Sequence, residues 1–133
     1  MAKFSLRKVD KSMKALKGDY SEHELECITR RGTIIDLAPG KTIFEEGKTG
    51  SEAAVIISGQ VKITRGSEVI KHLESGALIG EAAVLTGEAR NASASTISVV
   101  KVSVLDHEQF LALLEECPDF RGRVANEFEK RAA

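Results

Sequence analysis

Between residues 33 and 105 the chain is divided into short apolar or alternating runs, and turn-forming residues separate them. Two of the runs, 60–65 and 99–105, alternate apolar and polar residues with a period of two, which is typical of β-strands. Glycine-containing turns such as Pro39-Gly40 and Ser58-Gly59 interrupt the pattern. The other runs predicted as strands are 33–37, 42–44, 53–57, 68–73 and 91–97. Many short strands at this spacing indicate a sandwich or barrel.

Helical patterns flank the predicted strands. Ser21 followed by Glu24 is a capping-box pattern, and Asp106 followed by Gln109 is a second candidate helix start. Pro118 is expected to open a last helix. We therefore predict one mainly β domain with flanking helices over residues 1–133: N-terminal helices at 1–31, a jelly-roll-like β-barrel (a double-stranded β-helix) at 32–105, and two C-terminal helices at 106–131.

Composition excludes several classes of function. With a formal net charge of -1 and 42% hydrophobic residues, the chain has no charge excess that would favour non-specific nucleic-acid binding. No apolar run approaches the roughly 20 residues that a membrane span requires, and we expect a cytoplasmic location. Cys27 and Cys117 lie far apart in the sequence and in no metal-ligand spacing, so we expect reduced structural thiols and no metal. The three histidines also lie in separate predicted elements.

The loop at residues 80–92 carries the candidate binding residues. Glu81 stands in an otherwise apolar run, where an ionised carboxylate is costly without a partner. Gly80 allows close backbone approach, and a short helical turn at 81–85, ended by Gly87, would present N–H groups without helical partners. Arg90 offers a planar fork that suits a phosphate. Together these residues predict a pocket for a small anion that also carries a hydroxyl; the competing interpretation is an internal Glu81–Arg90 salt bridge.

Several segments of the chain resemble the cyclic-nucleotide-binding domain that is shared by the regulatory subunit of cAMP-dependent protein kinase, bacterial catabolite activators and cyclic-nucleotide-gated channels. The sequences at 37–47 and 55–61 resemble the family's apolar-Pro-Gly, Glu-Gly and Ser-Gly-x-Val framework. The loop at 80–92 resembles its phosphate-binding cassette. Residues 104–110 resemble its final strand and the start of its closing helices.

The resemblance implies roles for particular residues. Glu81 would accept a hydrogen bond from the ribose 2′-hydroxyl, and Arg90 would pair with the cyclic phosphate, assisted by backbone N–H groups of Ala83 and Asn91. Ala89 departs from the family's frequent proline, and Asn91 replaces a frequent Ser, Thr or Ala, so that purine selectivity stays open. The full predicted ligand-binding set is Gly80, Glu81, Ala82, Ala83, Arg90, Asn91 and Ala92.

The resemblance also implies a function. The chain would be a sensor or regulatory module for a cyclic nucleotide, and we expect cAMP rather than cGMP as the ligand. We expect it to be no enzyme and to need no cofactor. The C-terminal helix would close over the base, with Phe128, Lys130 or Arg131 as contacts. We expect an effector domain or a protein partner that responds to the bound nucleotide, and we expect no DNA-binding element in the chain. The alternative is an interaction domain that keeps the same barrel and responds to no nucleotide.

Overall fold

The computed structural model describes residues 20–132 of the chain, with side chains to residue 127. The part of the predicted N-terminal helices that falls at 1–19 lies outside the described residues. No helix in the described part is long and apolar enough to cross a membrane. The elements in chain order are α1 (Glu22–Arg31), β1 (Thr33–Leu37), β2 (Thr42–Phe44), β3 (Ala53–Ser58), β4 (Gln60–Arg65), β5 (Glu68–Glu74), β6 (Leu78–Ile79), α2 (Glu81–Thr86), β7 (Ser93–Thr96), β8 (Val100–Leu105), α3 (His107–Glu116) and α4 (Pro118–Ala132).

The strands form two antiparallel four-stranded sheets, ordered β1-β8-β3-β6 and β2-β7-β4-β5. Two sheets with flanking helices confirm the predicted mainly β fold class. All seven predicted runs contain a strand; three have the predicted bounds, and the ends of the other four differ by at most two residues. The short strand β6 was not predicted, because it lies within a continuous apolar run that has no period-two alternation.

Strand β3 is the centre of the core, because both of its faces are buried. Val55 belongs to a cluster that β3 shares with α1, α3 and α4. Ile56, the next residue, belongs to a second cluster with members from both sheets. Helices pack over one face of this sheet, and they also explain why Ser103 of β8 is buried. The alternation of β8 would place this serine on the polar face. Its hydroxyl donates to the Ile28 carbonyl of α1 at 3.4 Å.

The predicted capping box at Ser21 and the predicted helix start at Asp106 are both confirmed, and Asp106 also forms a capping box. The Ser21 hydroxyl accepts from the Glu24 backbone N–H at 3.0 Å, and the Asp106 carboxylate accepts from the Gln109 N–H at 2.8 Å. In each box the third helical residue returns a bond to the backbone of the cap. These bonds satisfy N–H groups that a helix start otherwise leaves without partners, so they locate the starts of α1 and α3.

An ion-pair cluster joins the end of α1 to the end of α3. Arg30 Nη2 lies 2.7 Å from the Glu116 carboxylate, and Arg31 Nε donates to the same carboxylate at 3.2 Å. The hydrogen bond from Arg31 is the main cause that lowers the pKa of Glu116 from 4.5 to about 2. A carboxylate with a lowered folded-state pKa stabilises the fold above its unfolded pKa and loses that effect as the pH falls.

We expect Glu116→Gln to reduce the free energy of unfolding at about pH 7 by no more than about 1 kcal/mol, because the pair is partly exposed to solvent. The difference from the wild type should be complete above pH 4.5 and should shrink as the pH falls towards about 2. Urea denaturation of both proteins at about pH 7 and about pH 3 measures it. Glu115→Gln, an exposed neighbour, is the matched control. A difference of equal size at both pH values would contradict the assignment.

Candidate functional site

The loop at 80–92 begins with a short helix between two glycines. Helix α2 follows Gly80, which has φ +83°, and ends at Gly87, which has φ +75° and donates its N–H to the Ala83 carbonyl at 2.9 Å. The helical turn after Gly80 and its left-handed end at Gly87 were predicted and are confirmed. The left-handed Gly80 was not predicted. A Cβ there would lie 2.6 Å from a ring atom of Phe44 and 2.8 Å from Arg90 Nη1, so the packing also requires glycine.

The Arg90 side chain is held in place from three sides. Its Nη1 donates to the Gly80 carbonyl at 3.0 Å, and its Nη2 donates to the Glu52 carbonyl at 2.8 Å. The guanidinium also stacks on Phe44, at 3.9 Å from the ring centroid. Arg90 is 8% exposed, and this burial lowers its pKa while the nearby Glu52 acts in the opposite direction. Because arginine remains protonated in proteins, the site holds a largely buried positive charge.

The loop between β2 and β3 fixes the backbone of Arg90. The Arg90 N–H donates to the Lys48 carbonyl at 2.9 Å, and the Gly47 N–H donates to the Arg90 carbonyl at 2.8 Å. Gly50 of the same loop lies so close that an added Cβ would be 2.7 Å from Arg90 Nη2. These contacts were not predicted, because they join segments about forty positions apart and no local pattern encodes them.

A cavity of about 550 Å³ lies against this loop. Six of the seven predicted ligand-binding residues line it: Gly80, Ala82, Ala83, Arg90, Asn91 and Ala92. The structure thus brings these six together around one space. The seventh, Glu81, is completely buried and is not among the lining residues. The described side chains also contain no Glu81–Arg90 ion pair, since Arg90 bonds to backbone carbonyls instead.

Charged residues that the sequence did not identify also line the cavity. Arg65 and Lys71 come from the hairpin of β4 and β5, while Arg123 and Glu127 come from α4. With Arg90 and Glu88, the lining contains four basic and two acidic side chains. This positive excess favours an anion. Apolar residues complete the wall: Phe44, Ile63, Ile70, Leu73, Ala77, Leu78, Ile79 and Ala94.

Helix α4 lines part of the cavity and forms an ion pair with α1. Arg123 donates to the fully buried Glu24 carboxylate through Nε at 2.6 Å and Nη2 at 2.9 Å. Its guanidinium also stacks on Tyr20, 3.6 Å from the ring centroid, and the Tyr20 hydroxyl donates to the Gly76 carbonyl at 2.7 Å. Gly76 and Arg123 both line the cavity, so the network connects the cavity rim to both helices.

The predicted lid contacts come from the end of the same helix. Helix α4 continues to residue 132, but the side chains of Phe128, Lys130 and Arg131 lie outside the described residues. Arg123 and Glu127 are the described α4 residues at the cavity. Neither was predicted as a contact, although both lie on the predicted lid helix and Glu127 directly precedes Phe128.

Comparison with known proteins gives consistent matches. The family model described as "Cyclic nucleotide-binding domain" matches residues 34–117. A CRP-like cAMP-activated global transcriptional regulator of Mycobacterium tuberculosis is 26% identical over 112 residues, which cover 80% of this chain and 50% of that protein. The chain therefore spans half the length of that relative.

Two solved structures share the fold. The catabolite activator protein of Thermus thermophilus superposes with a TM-score of 0.77 at 25% identity, over 86% of this chain and 56% of that one. A structure solved in work on a cyclic-GMP-dependent signalling pathway that regulates bacterial phytopathogenesis gives a TM-score of 0.74 at 27% identity, over 88% of this chain and 94% of that one.

Proposed function

Because this chain belongs to the cyclic nucleotide-binding domain family, we propose that it binds a cyclic nucleoside monophosphate in the cavity beside α2. The observation that carries the proposal is the buried guanidinium of Arg90 in the cavity wall. A cavity of about 550 Å³ is within the usual range for small-molecule sites.

Arg90 is the proposed phosphate partner. The guanidinium uses two of its five N–H donors in hydrogen bonds to the Gly80 and Glu52 carbonyls, and it makes no other hydrogen bond within the described residues. The fork is already oriented by Phe44 and Gly80, so little side-chain entropy remains to be lost when an anion binds. A cyclic phosphate carries one negative charge, which the basic excess of the lining attracts.

The sugar and base would occupy the rest of the cavity. We place the purine against the apolar wall that includes Ile63 and Leu73. In the family that the chain resembles, a hydroxyl at the position of Asn91 often goes with a preference for cGMP. Asn91 is exposed at the cavity and has no hydroxyl, and this is our reason for proposing cAMP over cGMP, although its amide can bond to either purine edge. Glu81 keeps its proposed role as acceptor for the ribose hydroxyl only if ligand binding brings its buried carboxylate to the cavity.

Occupancy would be transmitted through α4. Arg123 and Glu127 line the cavity, so a bound nucleotide would contact the C-terminal helix directly. A ligand shifts a conformational equilibrium only by its difference in affinity for the two states. We propose that contact with α4 provides this difference, and that a further domain or protein partner responds to the helix. The proposed role is regulatory binding without catalysis.

We expect cAMP to raise the melting temperature of the purified chain more than cGMP does, and AMP to raise it least because AMP lacks the cyclised phosphate. A ligand at about 100 times its dissociation constant stabilises the folded state by about 2.7 kcal/mol. Thermal denaturation with each nucleotide, followed by calorimetric titration, measures the effect. Recovery of unchanged cAMP after incubation would support binding without turnover.

A nucleotide-independent interaction domain is the second candidate. The observations that favour it are the two carbonyl bonds that already engage Arg90 and the position of Glu81 outside the cavity lining. If neither cyclic nucleotide alters the melting temperature at millimolar concentration, the result would contradict nucleotide binding and favour this second function.

A further inference from the structure

Folding brings together three side chains that the cyclic nucleotide site does not use. His23 and Cys27 are four positions apart on α1, so they lie on the same side of the helix. Cys117 is the C-cap of α3, ninety positions after Cys27. The ligand atoms of all three residues lie within 4.8 Å of one another.

The spacing of these donor atoms suits a tetrahedral metal ion. Zinc lies about 2.3 Å from a thiolate sulfur and about 2.0–2.1 Å from an imidazole nitrogen, so the sulfur and nitrogen of a tetrahedral site are about 3.6 Å apart. His23 Nε2 lies 3.6 Å from Cys27 Sγ. This distance therefore equals the sulfur–nitrogen edge that a shared zinc ion would require.

The surroundings also suit a divalent ion. Both thiols are fully buried, whereas His23 is exposed, so an ion can enter from the surface past the imidazole. Two thiolates and one neutral imidazole carry a charge that a divalent ion balances. Arg30 Nη2, at 4.0 Å from Cys27 Sγ, favours the thiolate form that binds a metal ion, and the Glu116 carboxylate at 2.7 Å offsets its charge.

We propose that His23, Cys27 and Cys117 form a binding site for Zn²⁺, separate from the nucleotide cavity. Each thiol loses its proton when its sulfur binds the ion, so two protons are released for each Zn²⁺ bound. Three protein ligands leave one coordination position for water. The site would tie α1 to the junction between α3 and α4, because Cys117 directly precedes Pro118.

The test uses the full chain under reducing conditions, with Co²⁺ as a spectroscopic substitute for Zn²⁺. We expect one Co²⁺ per chain and a thiolate-to-cobalt charge-transfer band that Zn²⁺ abolishes by displacement. Release of two protons per Zn²⁺ in weak buffer is the second readout. Absence of the band, or binding without proton release, would overturn the proposal.

His23→Asn is the decisive variant, because His23 is exposed and its replacement leaves the buried core intact. We expect it to weaken Zn²⁺ binding by at least about tenfold. His107→Asn, another exposed histidine near a helix start, is the matched control and should bind as the wild type does. Equal binding by both variants and the wild type would show an adventitious ion only. Cys117→Ser should bind Co²⁺ more weakly and show no more than about half of the wild-type charge-transfer intensity, because Cys27 is then the one remaining thiolate of the site. Circular dichroism checks that this variant is folded.

Discussion

Arg90→Ala is expected to weaken cyclic nucleotide binding by roughly 2–5 kcal/mol, as when one partner of a buried charge pair is removed. This corresponds to a loss of about 30- to several-thousand-fold in affinity. The physical reason is that Arg90 supplies a positive charge that is only 8% exposed and already oriented. Calorimetric titration of wild type and variant with cAMP and cGMP measures the loss.

The controls separate binding from folding. Arg90 also stacks on Phe44 and donates to two carbonyls, so the unliganded variant must first be shown to be folded by its thermal transition. Arg90→Lys keeps the charge without the planar fork and should bind with intermediate affinity. Arg65→Ala removes an exposed arginine from the same cavity, and it should reduce the free energy of nucleotide binding by less than about 1 kcal/mol. A folded Arg90→Ala protein with wild-type affinity would refute the phosphate role.

The largest effect on stability is expected from the Glu24–Arg123 pair. Glu24 is fully buried and accepts two hydrogen bonds from Arg123. Removing the charge of one partner in a buried pair costs about 3–5 kcal/mol, because the other charge remains without compensation. We expect the loss of stability in Glu24→Gln to lie near the lower limit of this range. Arg123 is 19% exposed, and glutamine retains an oxygen that can accept from the Ser21 backbone N–H. Urea denaturation measures the change in the free energy of unfolding.

Glu26→Gln is the matched control for this pair. Glu26 is an exposed carboxylate on the same helix, so the same chemical change there should alter stability by no more than about 0.5 kcal/mol. A double variant that adds Arg123→Met should lose less stability than the sum of the losses in the two single variants, since both substitutions remove the same interaction. Wild-type stability in Glu24→Gln would show that the pair contributes nothing to the fold.

The local part of the site was predictable from the sequence. Gly80, Ala83 and Arg90 lie within eleven consecutive positions, and a helical turn between two glycines has a short-range signature. The surroundings of Arg90 were not predictable in the same way. Phe44 and Glu52 reach it from another part of the chain, and their positions depend on how the loop between β2 and β3 folds across the sheet.

Glu81 and Arg123 are two further residues whose positions relative to the cavity could not be predicted from the sequence. The apolar run around Glu81 correctly indicated burial, but sequence could not show that the carboxylate is outside the cavity lining while its two neighbours are within it. Arg123 has no unusual local context. Its place at the cavity follows from the packing of α4 against α1, where Glu24 is buried.

Sequence patterns alone were enough to predict seven of the eight strands, the helix starts at Ser21 and Asp106, the helix between Gly80 and Gly87, and the family resemblance of the loop at 80–92. Such features depend on alternation, caps and turn residues, which act between neighbours a few positions apart. By contrast, the proximity of Cys117 to Cys27 and His23, and the position of Arg123 at the cavity, depend on the three-dimensional packing. Contacts between residues about ninety positions apart depend on the docking of whole helices onto β3, and no local pattern records that docking.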